Sequence, residues 1–286
     1  MIKRNQLSAL ALALGLVAGS ASAQGSNKVE MSSTPKAVKL QDVRANPAAY
    51  KNVFISFNVQ FHSIGSVHNP FFTRFTRTEY TNFWAWGDEQ KVWKLDEFSN
   101  PLSILFVKKL DNDALLGELF RFKRFDRLHA TGVVRNVFKN APWIEVLSLE
   151  KLDGKVTTPT LTHMHRAYAY MAKHRWTQAG TELNLAMTDG LPPFYQGWIH
   201  AYLGECLMKL GRPDPALNQL GYAQDYLPEE RSVAKNIALV KTDPKRAIDQ
   251  VEAGKSIPKN MVPIWVAVSG SSAGNRKKGQ AARPGR

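Results

Sequence analysis

The stretch LGECLMKLGRPDPALNQLGYAQDYLP, from Leu203 to Pro228, contains two apolar runs on either side of a Gly-Arg-Pro-Asp turn. Its apolar residues recur at intervals of three and four, which is typical of helices with one buried face. Small residues lie on the same faces, at Gly204, Ala216 and Ala223. Because a short helix pair cannot bury its apolar faces alone, the stretch predicts further helices on both sides of it.

A weaker copy of the pattern comes earlier in the chain, with Ala167, Tyr170, Ala179, Leu183 and Ala186 at matching positions. The two copies resemble the tetratricopeptide repeat, in which small residues at these positions allow the helices to pack closely. Their spacing exceeds the regular repeat of about 34 residues, and the surplus is assigned to the turn at 189–193. The resemblance implies an all-α array over residues 160–252, with a third-repeat helix at 229–241 and another helix from Asp243.

Upstream of the array, the period of the apolar residues changes from helical to two. In VFISFNVQF, residues 53–61, large apolar side chains alternate with intervening positions, which predicts a strand with one buried face. Further strands are predicted at 82–86, 102–109, 127–138 and 142–152, and a short helix at 111–119. Closure into a barrel would allow so many short strands to coexist without exposed edges.

Two motifs in this region resemble OB-fold domains of exported proteins: NPAAYKN at 46–52 and ATGVVRNVFKNAPWIEV at 130–146. The predicted fold class is therefore α+β and multidomain. A small five-stranded OB-like β-barrel at 37–155 precedes the all-α tetratricopeptide-type helical array. Such a barrel hosts many functions, so the fold alone does not identify one.

The two ends of the chain have the composition of processing and tail segments. Lys3 and Arg4 precede a short apolar run and Ala21-Ser22-Ala23, which predicts a signal peptide at 1–23 and a periplasmic protein. The other predicted segments are a linker at 24–36, an apolar C-terminal docking segment at 253–268 and a disordered basic tail at 269–286. Cys206 is the only cysteine, which excludes an intrachain disulfide.

The positive charge is spread unevenly along the chain. The formal charge of +14 falls by two for the signal peptide and by five for the tail, which leaves +7 on the folded body. The barrel region has 17 basic against 13 acidic residues, a small excess for a surface that follows phosphates. The basic tail is a candidate for peripheral contact with anionic surfaces.

A tetratricopeptide-type array binds partners in its concave groove. By resemblance, the candidate partner-binding residues are Tyr168, Met171, Trp198, Glu205, Met208 and Lys209. Aromatic and methionine side chains suit an adaptable protein or peptide contact. The alternative is that the barrel or the C-terminal segment fills this short groove internally.

The chain lacks the arrangements of residues that enzymes and metal sites require. His163 and His165 are two positions apart and would point away from each other on a helix, so they cannot share a metal ion. Cys206 lies in a predicted buried helix face, unlike a reactive thiol. No GxSxG, phosphate-binding glycine loop or HExxH is present. No catalytic residue, metal or cofactor is predicted.

These features predict an exported, non-enzymatic adaptor or scaffold of the cell envelope that binds a protein or peptide. The rival hypothesis is a module that binds polyanions or nucleic acid through the barrel and the basic tail. Its candidate residues are Arg74, Arg77, Trp84, Trp86, Arg121, Lys123 and Arg124. Cations interleaved with aromatic rings are also typical of a barrel wall, and an exported protein meets little nucleic acid, so the adaptor hypothesis is favoured.

Overall fold

The computed structural model describes residues 34–109 and 113–250, all within one compact unit. The predicted signal peptide, most of the linker, the docking segment and the basic tail lie outside the described residues. Among the helices of the described ranges, none combines the length and the hydropathy needed to cross a bilayer.

In the described chain all the strands come before the main helical region, and short helices lie between the strands. In chain order the elements are β1 (Lys36–Ala37), α1 (Leu40–Ala45), a 3₁₀ helix (Pro47–Tyr50), β2 (Phe54–Ile64), β3 (Tyr80–Gly87), α2 (Leu95–Phe98), β4 (Leu102–Lys108), α3 (Asp113–Leu119), β5 (Arg127–Phe138), β6 (Ala141–Lys151), α4 (Thr158–Ala172), α5 (Trp176–Ala186), α6 (Pro193–Lys209), α7 (Pro213–Tyr226), α8 (Arg231–Thr242) and α9 (Pro244–Gln250).

The strands close into a five-stranded barrel. They follow the order β2-β3-β4-β6-β5, and β5 pairs back onto β2. All of these pairs are antiparallel except β4 with β6, while the short β1 adds a parallel pair to β2. The α3 helix lies between β4 and β5 in the chain. The predicted fold class, an OB-like barrel followed by a helical region, is therefore confirmed.

Strand β2 is buried on both faces along much of its length, whereas its alternating pattern predicts one buried face. Ile55, Phe57 and Val59 fill the barrel interior as expected. The intervening Ser56 and Gln60 are buried as well. Ser56 pairs with β1, and the side chain of Gln60 contacts the helical region. Periodicity could not reveal either contact, because β1 is too short to be recognised and the helical partner of Gln60 is remote in sequence.

In the helical region each helix packs on the next, most extensively α4 on α5 and α6 on α7. The small residues predicted to bring helices together are buried: Ala179, Ala186, Ala216 and Ala223 are fully inaccessible. A Cβ atom on Gly204 would lie 2.7 Å from Cγ of Leu220 on the next helix. The close approach of α6 and α7 therefore depends on the absence of a side chain there.

Candidate binding cleft between the barrel and the helical region

One apolar core joins the barrel to the helices. Trp93, in the connection between β3 and α2, is fully buried among aromatic side chains of α6. The centroid of its ring lies 5.5 Å from that of Tyr195, 6.3 Å from that of Trp198 and 6.2 Å from that of Tyr202. Aromatic pairs at these separations are stabilising beyond the area they bury. The barrel segment therefore occupies part of the surface that α4 and α6 present.

A polar contact fixes the orientation at this junction. His165 of α4 places its Nδ1 atom 3.1 Å from the backbone oxygen of Trp93. Burial lowers the pKa of His165, which favours a neutral ring. Trp86 of β3, also fully buried, donates its indole N–H to the oxygen of Phe98 at 3.0 Å. The barrel and the helices therefore share one hydrophobic core and are not separated by a linker.

The candidate partner-binding residues separate into two groups. Trp198 and Glu205 line an open cleft beside the Trp93 segment, although each is only 6% exposed. Tyr168, Met171 and Met208 are buried away from that cleft, the first two in the shared core and Met208 in a small core with Ala216 and Leu220. Lys209 donates through its Nζ atom to the backbone oxygens of Ile248 and Asp249 in α9, at 2.6 and 3.1 Å.

The open cleft has a volume of about 300 Å³ and is formed by the barrel connection, α6, α8 and the end of α9. Its floor is aromatic, from Trp198 and Tyr202. Its walls carry mixed charges and amides, and its lining residues are Lys91, Lys94, Trp198, Tyr202, Glu205, Glu230, Ser232, Lys235, Asn236 and Gln250. Since eight of the ten lining residues are charged or polar, the cleft suits a charged or polar group that lies beside the two rings.

Lys91 is the most perturbed cation of the cleft. Its Nζ atom lies 3.4 Å from the centroid of the Trp198 ring, a cation–π contact. Burial, and secondarily the charge of Lys94, lowers the pKa of Lys91 from 10.5 to about 8. The carboxylates of Glu230, Glu97 and Glu205 partly offset this shift. A partly desolvated amine in a cleft is a candidate for binding an anion.

Two other charged residues of the cleft, Lys94 and Glu230, make contacts within the protein. Lys94 lies over the Tyr168 ring, with its Nζ atom 5.0 Å from the centroid. Glu230 caps α8, since its Oε1 atom accepts hydrogen bonds from the backbone N–H and the hydroxyl of Ser232 at 3.2 and 2.8 Å. A carboxylate at a helix N-terminus is stabilised by the helix dipole. The cleft therefore presents three lysines and two carboxylates, of which Glu230 is engaged as a helix cap.

The candidate polyanion-binding residues lie on separate segments. Arg74 and Arg77 are exposed in the connection between β2 and β3, whereas Arg121 and Lys123 are exposed between α3 and β5. The half-buried Arg124 is near His62, whose ring lies 6.0 Å from that of the half-buried Trp84. Trp86 is enclosed in the shared core.

Nucleophiles and metal ligands do not converge in the part of the chain that the structure describes. No group of three His, Cys, Asp or Glu side chains there is placed to hold a metal ion. Cys206 is buried, and burial raises the pKa of its thiol to about 12. His163 places its Nδ1 atom 2.7 Å from Oε2 of Glu182, while His165 faces Trp93.

Sequence reasoning missed three of the lysines that line the cleft, Lys91, Lys94 and Lys235. A signal for the first two was present in KVWK, a tryptophan flanked by cations within a short connection between strands. Comparison with protein-family models, curated proteins and solved structures found no match. The interpretation of the cleft therefore rests on its geometry.

Proposed function

We propose that this chain is an exported, non-enzymatic adaptor of the cell envelope that binds a protein or peptide in the cleft beside Trp93. The observation that carries the proposal is the cleft itself, where Lys91, Lys94 and Lys235 surround the rings of Trp198 and Tyr202. Interaction sites are typically enriched in aromatic anchors with charged groups at their edge.

The chemistry of the cleft favours a segment of the partner that carries a carboxylate beside an apolar side chain. The apolar group packs on the ring edges of Trp198 and Tyr202. The carboxylate, from an acidic side chain or a chain terminus, pairs with Lys91 and Lys235. An anion there offsets the desolvation of the Lys91 ammonium group and its repulsion by Lys94.

The helix pairs support a repeat-type interaction surface. Among the helices, the cleft is lined mainly by α6 and α8, with Gln250 of α9, and not by α7. The resemblance to the tetratricopeptide repeat implies that the first helix of each repeat lines the concave binding face. In this proposal the Trp93 segment fills the part of that face nearest the barrel, and the partner binds in the part that is left.

Export is the other half of the proposal. It is supported by the charged start, the apolar run and the Ala21-Ser22-Ala23 site of the sequence. N-terminal sequencing of the protein recovered from the envelope fraction should then find a chain that begins at Gln24. A chain that keeps residues 1–23 and stays in the cytoplasm would contradict export without bearing on the cleft.

Photocrosslinking in intact cells tests the binding role. A photoreactive phenylalanine derivative replaces Ser232, which lines the cleft, and in a control replaces Ala238, which is exposed on the same helix but outside the cleft. We expect a discrete adduct from position 232 and none from position 238. The adduct should weaken at least about tenfold when Lys91 and Lys235 are both changed to Gln, because each change removes a charged contact.

Two results would contradict the binding role. Equal adducts at both positions would indicate non-specific encounter. An adduct at position 232 that persists in full after both lysine changes would show that the cleft charges do not recognise the partner. Circular dichroism and thermal unfolding of the lysine variants establish that they remain folded.

A further inference from the structure

The barrel exposes two adjacent phenylalanines. Phe71 is 91% exposed and Phe72 is 68% exposed, in the connection between β2 and β3. Single exposed apolar residues are common, but two adjacent, largely exposed aromatic rings need an explanation. Neither ring contributes to the cleft or to the shared core.

The connection that carries these residues is anchored to the barrel. The backbone N–H and the hydroxyl of Thr73 donate to the backbone oxygen of Asn69 at 3.0 and 2.7 Å. Phe75 is fully buried and stacks on Phe106, with 4.1 Å between ring centroids. The ring of Phe72 stacks on Phe138 at 5.0 Å and 8°. The pair is therefore presented by an anchored segment, which reduces the entropy lost on binding.

Exposed cations follow the pair in the chain or contact its stacking partner Phe138. Arg74, Arg77 and Lys139 are exposed, and the Nζ atom of Lys139 lies 5.7 Å from the centroid of the Phe138 ring. The backbone N–H of Arg74 donates to Oδ1 of Asn136 at 3.3 Å, which ties the connection to β5. The acidic residue of this connection, Glu79, accepts a hydrogen bond from Thr76. The local charge is therefore positive.

We propose that Phe71 and Phe72, which we call the phenylalanine tip, dock this protein onto an anionic lipid surface. Largely exposed apolar rings suit contact with acyl chains, which need no cavity to receive them. In a peripheral membrane contact, apolar rings lie at the depth of the headgroups, and arginine and lysine lie at the level of the phosphates. The proposal is independent of the cleft.

Co-sedimentation with vesicles tests the proposal, using the exported full chain and phosphatidylcholine vesicles with or without phosphatidylglycerol. Wild type should bind the anionic vesicles more tightly. Phe71→Ala with Phe72→Ala should weaken that binding at least about tenfold, because two inserted rings are lost. Phe120→Ala, which removes a ring that is 61% exposed at another site, is the matched control and should have little effect.

The charge contribution is tested separately. Changing Arg74, Arg77 and Lys139 to Gln should reduce binding to the anionic vesicles and flatten its salt dependence, with little change on neutral vesicles. The basic tail is present in every variant, so the differences report the tip alone. Unfolding midpoints within experimental error of wild type would show that these exposed changes leave the fold intact.

The outcomes decide between lipid and other occupants. Equal vesicle binding by wild type and the double phenylalanine variant would overturn the proposal, as would no binding to either vesicle. A single-stranded oligonucleotide or heparin is offered in parallel. Binding to these that depends on the tip, in the absence of vesicle binding, would assign the tip to a polyanion and would also overturn it.

Discussion

The hydroxyl oxygen of Tyr195, in helix α6, lies 2.8 Å from the amide nitrogen of Gln60 and 3.0 Å from its amide oxygen, in strand β2 of the barrel. Both side chains are buried, and 135 positions separate them in the chain. Burial raises the pKa of Tyr195 well above its ordinary value, so the hydroxyl stays neutral and can donate. This polar contact within an apolar interface sets the register of α6 on the barrel.

Tyr195→Phe should lower the free energy of unfolding by about 1–3 kcal/mol, because it leaves the buried amide of Gln60 without its partner. Urea unfolding measures the loss. Combining it with Gln60→Leu should destabilise less than the sum of the single changes, with a coupling energy of about 0.5–3 kcal/mol. Strictly additive effects would mean that the two groups do not interact in solution.

Gly204→Ala should destabilise the helical region by about 1–3 kcal/mol through overpacking. The added Cβ atom would lie 2.7 Å from Cγ of Leu220 and 3.3 Å from the backbone oxygen of Ala216, on the facing helix. Gly221→Ala, in α7, is the matched control, since a Cβ atom there meets nothing within 4 Å. The control should be neutral or stabilising by up to about 1 kcal/mol because alanine favours helix. Thermal unfolding of both variants provides the comparison, and equal effects would argue against close packing of α6 on α7.

Lys91 should titrate near pH 8, because burial disfavours its ammonium form. Nuclear magnetic resonance of ε-carbon-labelled lysine measures the midpoint, and the spectrum of Lys91→Arg assigns the signal. Since the folded protein releases this proton before the unfolded chain does, the contribution of Lys91 to stability should rise with pH between about 8 and 10.5. A midpoint near 10.5 would show that the amine is solvated and the cleft is more open than described.

His62 should make the protein less stable in mild acid. Burial, and secondarily the charge of Arg124, lowers the pKa of His62 from 6.5 to about 4. Between these values the unfolded chain binds a proton that the folded protein does not, so stability falls as pH drops through this window. His62→Gln should show a shallower loss in urea unfolding between pH 6.5 and 4.5, and curves of equal slope would refute the assignment.

The strand and helix positions followed from local patterns. Strand β5 was predicted with the bounds that it has, and β6 within one residue at each end, because alternation and the turn at Lys139-Asn140 are short-range signals. The small residues of α6 and α7 predicted close helix packing, since only glycine or alanine fits where helices touch. Trp198 and Glu205 were placed at a candidate binding surface by resemblance to the tetratricopeptide repeat, and both line the cleft.

The cleft itself could not be predicted from these patterns. Part of its charged wall comes from the connection KVWK. The path of this connection over α6 depends on how the whole barrel docks on the helices. That docking depends in turn on side chains such as Gln60, which periodicity assigns to an exposed face. The local sequence of a segment does not predict which distant surface that segment will cover. The sequence by itself determined an OB-like barrel, a nested helical region and small residues at their helix contacts, because these depend on interactions between residues close in the chain. Only the tertiary structure decided that Trp93 occupies part of the helical surface and that three lysines surround what remains, because those positions depend on contacts between distant parts of the chain.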